Sequence, residues 1–163
     1  MAGAEALPFR SGAFDLVLAT QVLEHVPEPE EVAREAARVL VDGGWLVASV
    51  PQMVALHEAP RDYFRFTVFG LEHVLRAAGL EPVAIRPLGG FWAMIAQQLE
   101  FRLLWDRGAR WRWLRRIELA VGRFALGILA GLDGRRPDER YALNIVATAR
   151  KAPAAQPRPA SSA

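Results

Sequence analysis

FDLVLATQVLEHVPEPEEVAREAARVLVDGGWLVASV, residues 14–50, holds two short apolar runs with one amphipathic stretch between them. FDLVLA (14–19) is apolar without alternation, which predicts a strand buried on both faces, as in a parallel sheet. Pro27 and Pro29 punctuate the chain, and EEVAREAARVL follows. Its Val32, Ala36, Val39 and Leu40 recur at helical spacing, with acids early and arginines late, matching the helix dipole. Gly43-Gly44 predicts the C-terminal cap of that helix. WLVASV (45–50), stopped by Pro51, predicts a second buried strand. Strand, helix and strand in this order make a right-handed parallel crossover unit, so the fold class is α/β.

Further along, Thr67 predicts an N-cap for a helix with Leu71, Val74, Leu75 and Ala78 on its inner face, ended by Gly79. PVAIRP (82–87) reads as a short strand. Gly89-Gly90 opens a mostly helical region to about residue 132, and YALNIVATA (141–149) reads as a closing strand. The final stretch, APAAQPRPASSA, lacks core-forming residues and predicts disorder. The expected organisation is one domain over 1–150, with a helical insertion at about 91–132 and a tail at 151–163.

Composition narrows the function classes. At 163 residues, 52% hydrophobic and 23% charged, the chain suits one soluble globular domain. With no cysteine there is no disulfide, thiolate nucleophile or cysteine metal site. No secretory signal is read at the start, and Ile117–Leu132, broken by Glu118 and Arg123, is too short and charged to span a bilayer. A cytoplasmic location is expected, with peripheral contact at the inner membrane surface as an option. No G-x-S-x-G elbow, P-loop, G-x-G-x-x-G loop or His/acid cluster at metal-ligand spacing is visible, so no metal is expected.

Three segments in order carry a resemblance: AEALPFRSGAFDLVLATQVLEHV (4–26), RVLVDGGWLVASVP (38–51) and DYFRFTVFGLEHVLRAAGLEPV (62–83). Together they resemble the class I, Rossmann-like methyltransferases that use S-adenosylmethionine, in particular those acting on small molecules. The likeness covers residues 3–90 closely and 141–150 as the last strand. It implies strands four to seven of the seven-stranded family sheet, a partial fold with the helical insertion before the last strand. The family's glycine-rich loop and the ribose-binding acid would precede residue 1. The chain alone is therefore expected to bind the cofactor poorly and to be inactive.

The resemblance also implies a site. Ala4 and Glu5 lie on the loop that meets the adenine ring, with Gly3 where the family usually carries an aspartate. Thr20 and Gln21, at the carboxyl end of the first strand, face the cofactor. His25 follows, a candidate to orient the acceptor or take a proton, since its pKa is near neutrality. His57, Tyr63 and Arg65, after the second strand, combine an aromatic wall with a cation for the acceptor. Each has a plainer alternative: a solvated acid for Glu5, loop capping for Thr20 and Gln21, a structural role for His25, and packing for Phe64 and Phe66. His73 reads as a polar-face residue.

Trp105, Trp111 and Trp113 among seven arginines between 102 and 123 suggest an element for a membrane surface, a lid over a glycan or lipid-linked acceptor, or a plain packed insertion. Nucleic acid is not expected, because no recognition motif accompanies the patch. Strand 14–19, lacking its family neighbour, leaves an edge open to self-association. Two rivals stand beside methyl transfer to a small-molecule, glycan or lipid-linked acceptor. One is a non-catalytic remnant or partner subunit; the other is a membrane-surface module.

Overall fold

A computed structural model describes residues 3–105, 112–134 and 137–153. In chain order these form β1 (Phe14–Thr20), α1 (Pro29–Val39), β2 (Leu40–Pro51), α2 (Val68–Ala77), β3 (Leu80–Leu88), α3 (Phe91–Trp105), α4 (Arg112–Gly131) and β4 (Asn144–Lys151). The sheet order is β1-β2-β4-β3. β1 runs parallel to β2, and β4 lies antiparallel between β2 and β3. This is the expected α/β arrangement, with two parallel strands joined through a helix and the last strand inserted backwards.

The boundary between α1 and β2 differs from the sequence reading. Gly43-Gly44 does not cap α1. The helix stops at Val39, and Leu40, fully buried, is already extended while its N–H still bonds the Ala36 carbonyl. The glycines instead lie inside β2, where pairing with β1 jumps from Phe14↔Leu40 to Leu16↔Trp45. Gly43 sits at φ +78°, and a Cβ on Gly44 would come 2.9 Å from the Val41 carbonyl oxygen and 3.2 Å from that of Asp15. They serve a bulge with close backbone approach, which is the usual reason for glycine within a strand.

α2 follows its sequence signals. The Thr67 hydroxyl accepts from the Gly70 N–H at 3.0 Å, and Gly79, at φ +78°, ends the helix. The closing strand begins later than expected, at Asn144, because residues 139–141 form a 3-10 turn. Of the tail expected at 151–163, Lys151 instead ends β4, and residues 154–163 lie outside the described residues.

One sheet face carries the core. Leu46, Ala48 and Val50 of β2 and Ile145, Ala147 and Ala149 of β4 pack beneath Val32, Ala33 and Ala36 of α1 and Leu71, Val74 and Leu75 of α2. The opposite face is open at its β1 end, which corrects the expectation of a strand buried on both sides. Leu16 is 52% exposed, Leu18 65% and Trp45 39%. Among the described residues, α1 and α2 share the covered face and no helix lies over Leu16 and Leu18.

Ahead of β1, residues 3–12 are tied to α1. Glu35 accepts the Leu7 N–H at 2.8 Å and pairs with Arg38, whose guanidinium also bonds the Leu7 carbonyl and the Ser11 hydroxyl. Hydrogen bonds from Arg38 first, then from Leu7, lower the Glu35 carboxyl from 4.5 to about 2. The insertion closes on itself at its base, where Asp133 accepts the Trp92 and Ala93 N–H groups at the start of α3.

Two outcomes follow for stability. Leu75→Ala, at a fully buried position, costs about 2–5 kcal/mol in chemical denaturation, whereas Leu18→Ala stays within about 0.5 kcal/mol. A large loss for Leu18→Ala would mean the open face is covered in solution. For Glu35, a lowered folded pKa means its stabilisation is present above about pH 4.5 and disappears as pH falls towards 2. Glu35→Gln therefore flattens the acid limb of stability in that window and speeds exchange of the Leu7 amide at neutral pH.

Candidate functional site

Because β1 and β2 are parallel, the loops that follow them leave the same rim of the sheet. In open α/β sheets that rim is where ligands bind. Thr20 is exposed there. Gln21 adopts φ +53°, and its side-chain amide donates to the Ser49 hydroxyl at 3.2 Å and the Asn144 side-chain oxygen at 3.3 Å. It thus links the ends of β1, β2 and β4, a clasp role close to the capping alternative. Ala4 packs partly buried against the core and Glu5 is exposed, on the segment held by Glu35 and Arg38.

The next residues, Leu23–His25, form a single 3-10 turn. It sinks Leu23 and Glu24 and leaves His25 at the surface side. Glu24 is fully buried, and neither carboxylate oxygen has a hydrogen-bond partner. Burial pushes its pKa up, against the opposing pull of its own backbone N–H and of His25, His57 and Arg65. An unpaired carboxylate in such a place carries a large desolvation cost, so its neighbours matter.

Those neighbours come from the loop after β2. The Glu24 carbonyl accepts the N–H of Tyr63 at 2.8 Å and of Phe64 at 3.3 Å, which docks the loop onto the turn. His25 Nδ1 lies 2.6 Å from the Arg61 carbonyl oxygen, and its Nε2 lies 3.8 Å from Glu24 Oε1 and 3.9 Å from Glu58 Oε2. The rings of His25 and His57 meet edge to face at 4.9 Å. Tyr63 is 48% exposed and stands beside Phe64, while Phe66 is buried in the core.

Arg65 holds this loop together. Its Nη1 and Nη2 reach the two Asp62 oxygens at 2.6 and 2.7 Å, and its other donors reach the carbonyls of Val54, Ala55 and Phe64. Asp62, almost fully buried, also accepts the His57 N–H, and its pKa falls well below the usual range, chiefly through the Arg65 hydrogen bonds. The sequence reading made Arg65 a cation for the acceptor. Its guanidinium is spent on the loop instead, which makes it a positioning residue for His57 and Tyr63.

The fold therefore gathers His25, His57, Tyr63 and Arg65, and adds Glu24 and Asp62, which the sequence reading did not single out. It also overturns the expectation of no metal-type cluster: ligand atoms of Glu24, His25 and His57 all lie within 4.8 Å of one another. Spacing along the chain hid this, since His57 is far from His25 in sequence. The legible signal was positional: an acid and a histidine ending one parallel strand, and a histidine following the next.

The residues fit S-adenosylmethionine only on one side. The segment holding Ala4 and Glu5 and the end of β1 are present. The glycine pair that follows a strand and opens a helix, Gly89-Gly90, is already filled, because a Cβ on Gly90 would fall 2.7 Å from the Asp133 carboxylate. That carboxylate occupies the α3 amino-terminus where an anionic group would sit. Gly89-Gly90 therefore offers no cradle for the methionine end among the described residues.

Comparison with known proteins agrees with this geometry. Residues 1–48 match the methyltransferase domain family. The ubiquinone biosynthesis O-methyltransferase of Bordetella avium is 37% identical over 67 residues, covering 41% of this chain and 25% of that protein. The 27-O-demethylrifamycin SV methyltransferase of Amycolatopsis mediterranei is 32% identical over 166 residues, covering 84% and 58%. The chain thus spans a quarter to about three fifths of the length of these relatives. Among solved structures, phosphoethanolamine N-methyltransferase 2 of Haemonchus contortus, in complex with S-adenosyl-L-methionine, aligns with TM-score 0.55 at 16% identity, over 93% of this chain and 36% of that one. The cyclase SpnF aligns equally well, at TM-score 0.55 and 23% identity over 93% and 54%, so the fold alone does not fix a reaction. Sequence at the start of the chain is thus similar to the methyltransferase domain family, and the order and direction of its strands follow the Rossmann-like fold of the methyltransferases it aligns with.

Proposed function

We propose that these residues form the acceptor side of a methyltransferase site, serving transfer of a methyl group to a hydroxyl of a small, glycan or lipid-linked molecule. One observation carries the reading: the Glu24 carbonyl docks the loop that follows β2 through the Tyr63 and Phe64 N–H groups, and the rings of His25 and His57 meet across the two loops. The names of the two curated relatives, an O-methyltransferase and an enzyme of 27-O-demethylrifamycin, support an oxygen acceptor. Catalysis in such a site rests mainly on alignment of the two reactants. His25 and Tyr63 are the groups placed to orient the acceptor, and Arg65 and Asp62 hold the loop that presents them.

The cofactor side is one-sided in the described residues, so the 163-residue chain is taken to be inactive alone. Losing two good polar contacts, at about 1.4 kcal/mol each, weakens binding roughly a hundredfold. Calorimetric titration of S-adenosylmethionine into the chain should show no micromolar binding. Micromolar affinity would overturn the inactivity. Ligand-observed NMR with phenol and alkylamine fragments tests the acceptor side. Phenols should bind and lose binding in Tyr63→Ala, whereas preference for the amines would reject the oxygen acceptor.

A second reading has its own observation. α4 exposes Val121, Phe124, Ile128 and Leu132 along one stripe, and residues 102–123 hold seven arginines against Asp106 and Glu118. Apolar side chains beside a cationic run match an anionic lipid surface. No helix of the described residues is long and apolar enough to cross a membrane, so the contact proposed is peripheral, at the cytoplasmic leaflet. Vesicles with anionic lipid should co-sediment the protein at low salt, with loss on Phe124→Glu or on raising salt. Equal binding to neutral vesicles, or none, rejects this reading.

A further inference from the structure

We propose that Glu24, His25 and His57 bind one divalent transition-metal ion. The case begins with which ring nitrogens carry protons. A carbonyl only accepts, so His25 Nδ1 donates to the Arg61 carbonyl at 2.6 Å, which makes Nε2 the ring nitrogen turned to a ligand. His57 Nδ1 faces the Ala55 carbonyl at 3.1 Å and Arg65 Nη2 at 3.3 Å. Both N–H groups of Nη2 are already directed to Asp62 Oδ2 and to the Ala55 carbonyl. His57 Nδ1 therefore donates to Ala55, which leaves Nε2 as the other candidate ligand atom of that ring. A ring N–H held by a backbone carbonyl is the usual support of a metal-ligating histidine.

The third member is the buried Glu24 carboxylate, both of whose oxygens lack a hydrogen-bond partner. His25 Nε2 lies 3.8 Å from Glu24 Oε1 and 3.9 Å from Glu58 Oε2. Two carboxylates about one ring nitrogen call for positive charge among them, and a metal ion supplies it at least as well as a ring proton. At 3.8 Å the gap is too long for a shared proton in a direct hydrogen bond. It is close to the separation of two ligands about 2.1 Å from one ion, which is about 3.4 Å in tetrahedral geometry. One ligand atom from each of the three residues lies within 4.8 Å of the others, a span that a single ion can bridge once the side chains draw in.

Two imidazoles and one carboxylate suit zinc, cobalt, iron or manganese better than magnesium or calcium, which favour all-oxygen shells. Three protein ligands leave positions open. His25 and His57, at 18% and 25% side-chain exposure, form the solvent side of the set, while the fully buried Glu24 forms its inner side. The two histidines are held from behind, His25 by Arg61 and His57 by Ala55 and Asp62, so the set is preorganised before any ion arrives. The inference concerns metal binding and stands apart from the methyl-transfer reading.

The test uses the untagged, chelator-treated 163-residue chain titrated with Co²⁺, followed by visible absorption, and with Zn²⁺ by calorimetry. One equivalent should bind, with ligand-field bands in the visible. Glu24→Gln, which keeps the shape, and His57→Ala, on a loop, should each weaken binding at least tenfold. His73→Ala, on the exposed face of α2, should change nothing. Helical circular dichroism controls for folding, and where Glu24→Gln loses it, His57→Ala decides. Absence of one-equivalent binding, or binding indifferent to His57→Ala, overturns the proposal.

Discussion

Parallel pairing of β1 with β2 is the constraint from which the site descends. Two strands running the same way must end at the same rim, and the chain must cross the sheet through a helix to return. Side chains separated by about thirty residues in sequence are thereby brought within a few ångströms. Glu24 and His25 come from the first rim loop and His57 from the second. The two loops are joined by main-chain hydrogen bonds from Tyr63 and Phe64 to the Glu24 carbonyl. An antiparallel pair would have put these loops at opposite ends.

The balance of charge within the second loop shows how such a site is kept in order. Asp62 is buried yet strongly paired, with a bidentate arginine and the His57 N–H satisfying both its oxygens. Glu24, equally buried, has no such partners. Two carboxylates on neighbouring rim loops thus meet opposite fates, and their pKa shifts run in opposite directions for that reason. Structural acids are satisfied by the chain itself, whereas an acid left without partners marks where something else is meant to come.

Much of the sheet was legible in the sequence because apolar runs and turn residues report burial and chain reversal directly. Thr67 and Gly79 delimit α2 as their chemistry requires, and the parallel unit reads from FDLVLA and WLVASV. Gly43-Gly44 misled because a glycine pair after a helix looks like a cap, while the real requirement was close approach of β2 to the Asp15 carbonyl. Leu16 and Leu18 misled because hydrophobicity does not say which neighbour covers it. In the candidate site, His25, His57 and Tyr63 were named from their position after strands, and the fold brings their loops together. Glu24 and Asp62 were not, since a single acid in a sequence gives no sign of burial or pairing. Arg65 was found with the wrong role, because only the three-dimensional loop reveals how many carbonyls its guanidinium already serves.

The Asp133 carboxylate at the amino-terminus of α3 has a bearing on how this chain can diversify. It fastens the exit of the insertion to its entrance, while the Leu143 N–H bonds the Leu88 carbonyl at 2.8 Å just below. The sheet therefore sees the whole helical pair as a single short connection between β3 and β4. Closing a longer or shorter segment over that same gap changes the entropic cost by only about 0.6 kcal/mol per doubling of length. Helical pairs of different size and surface can be exchanged over an unchanged sheet. An insertion of new length or surface can thus be carried over this gap without touching the strands that hold the rim.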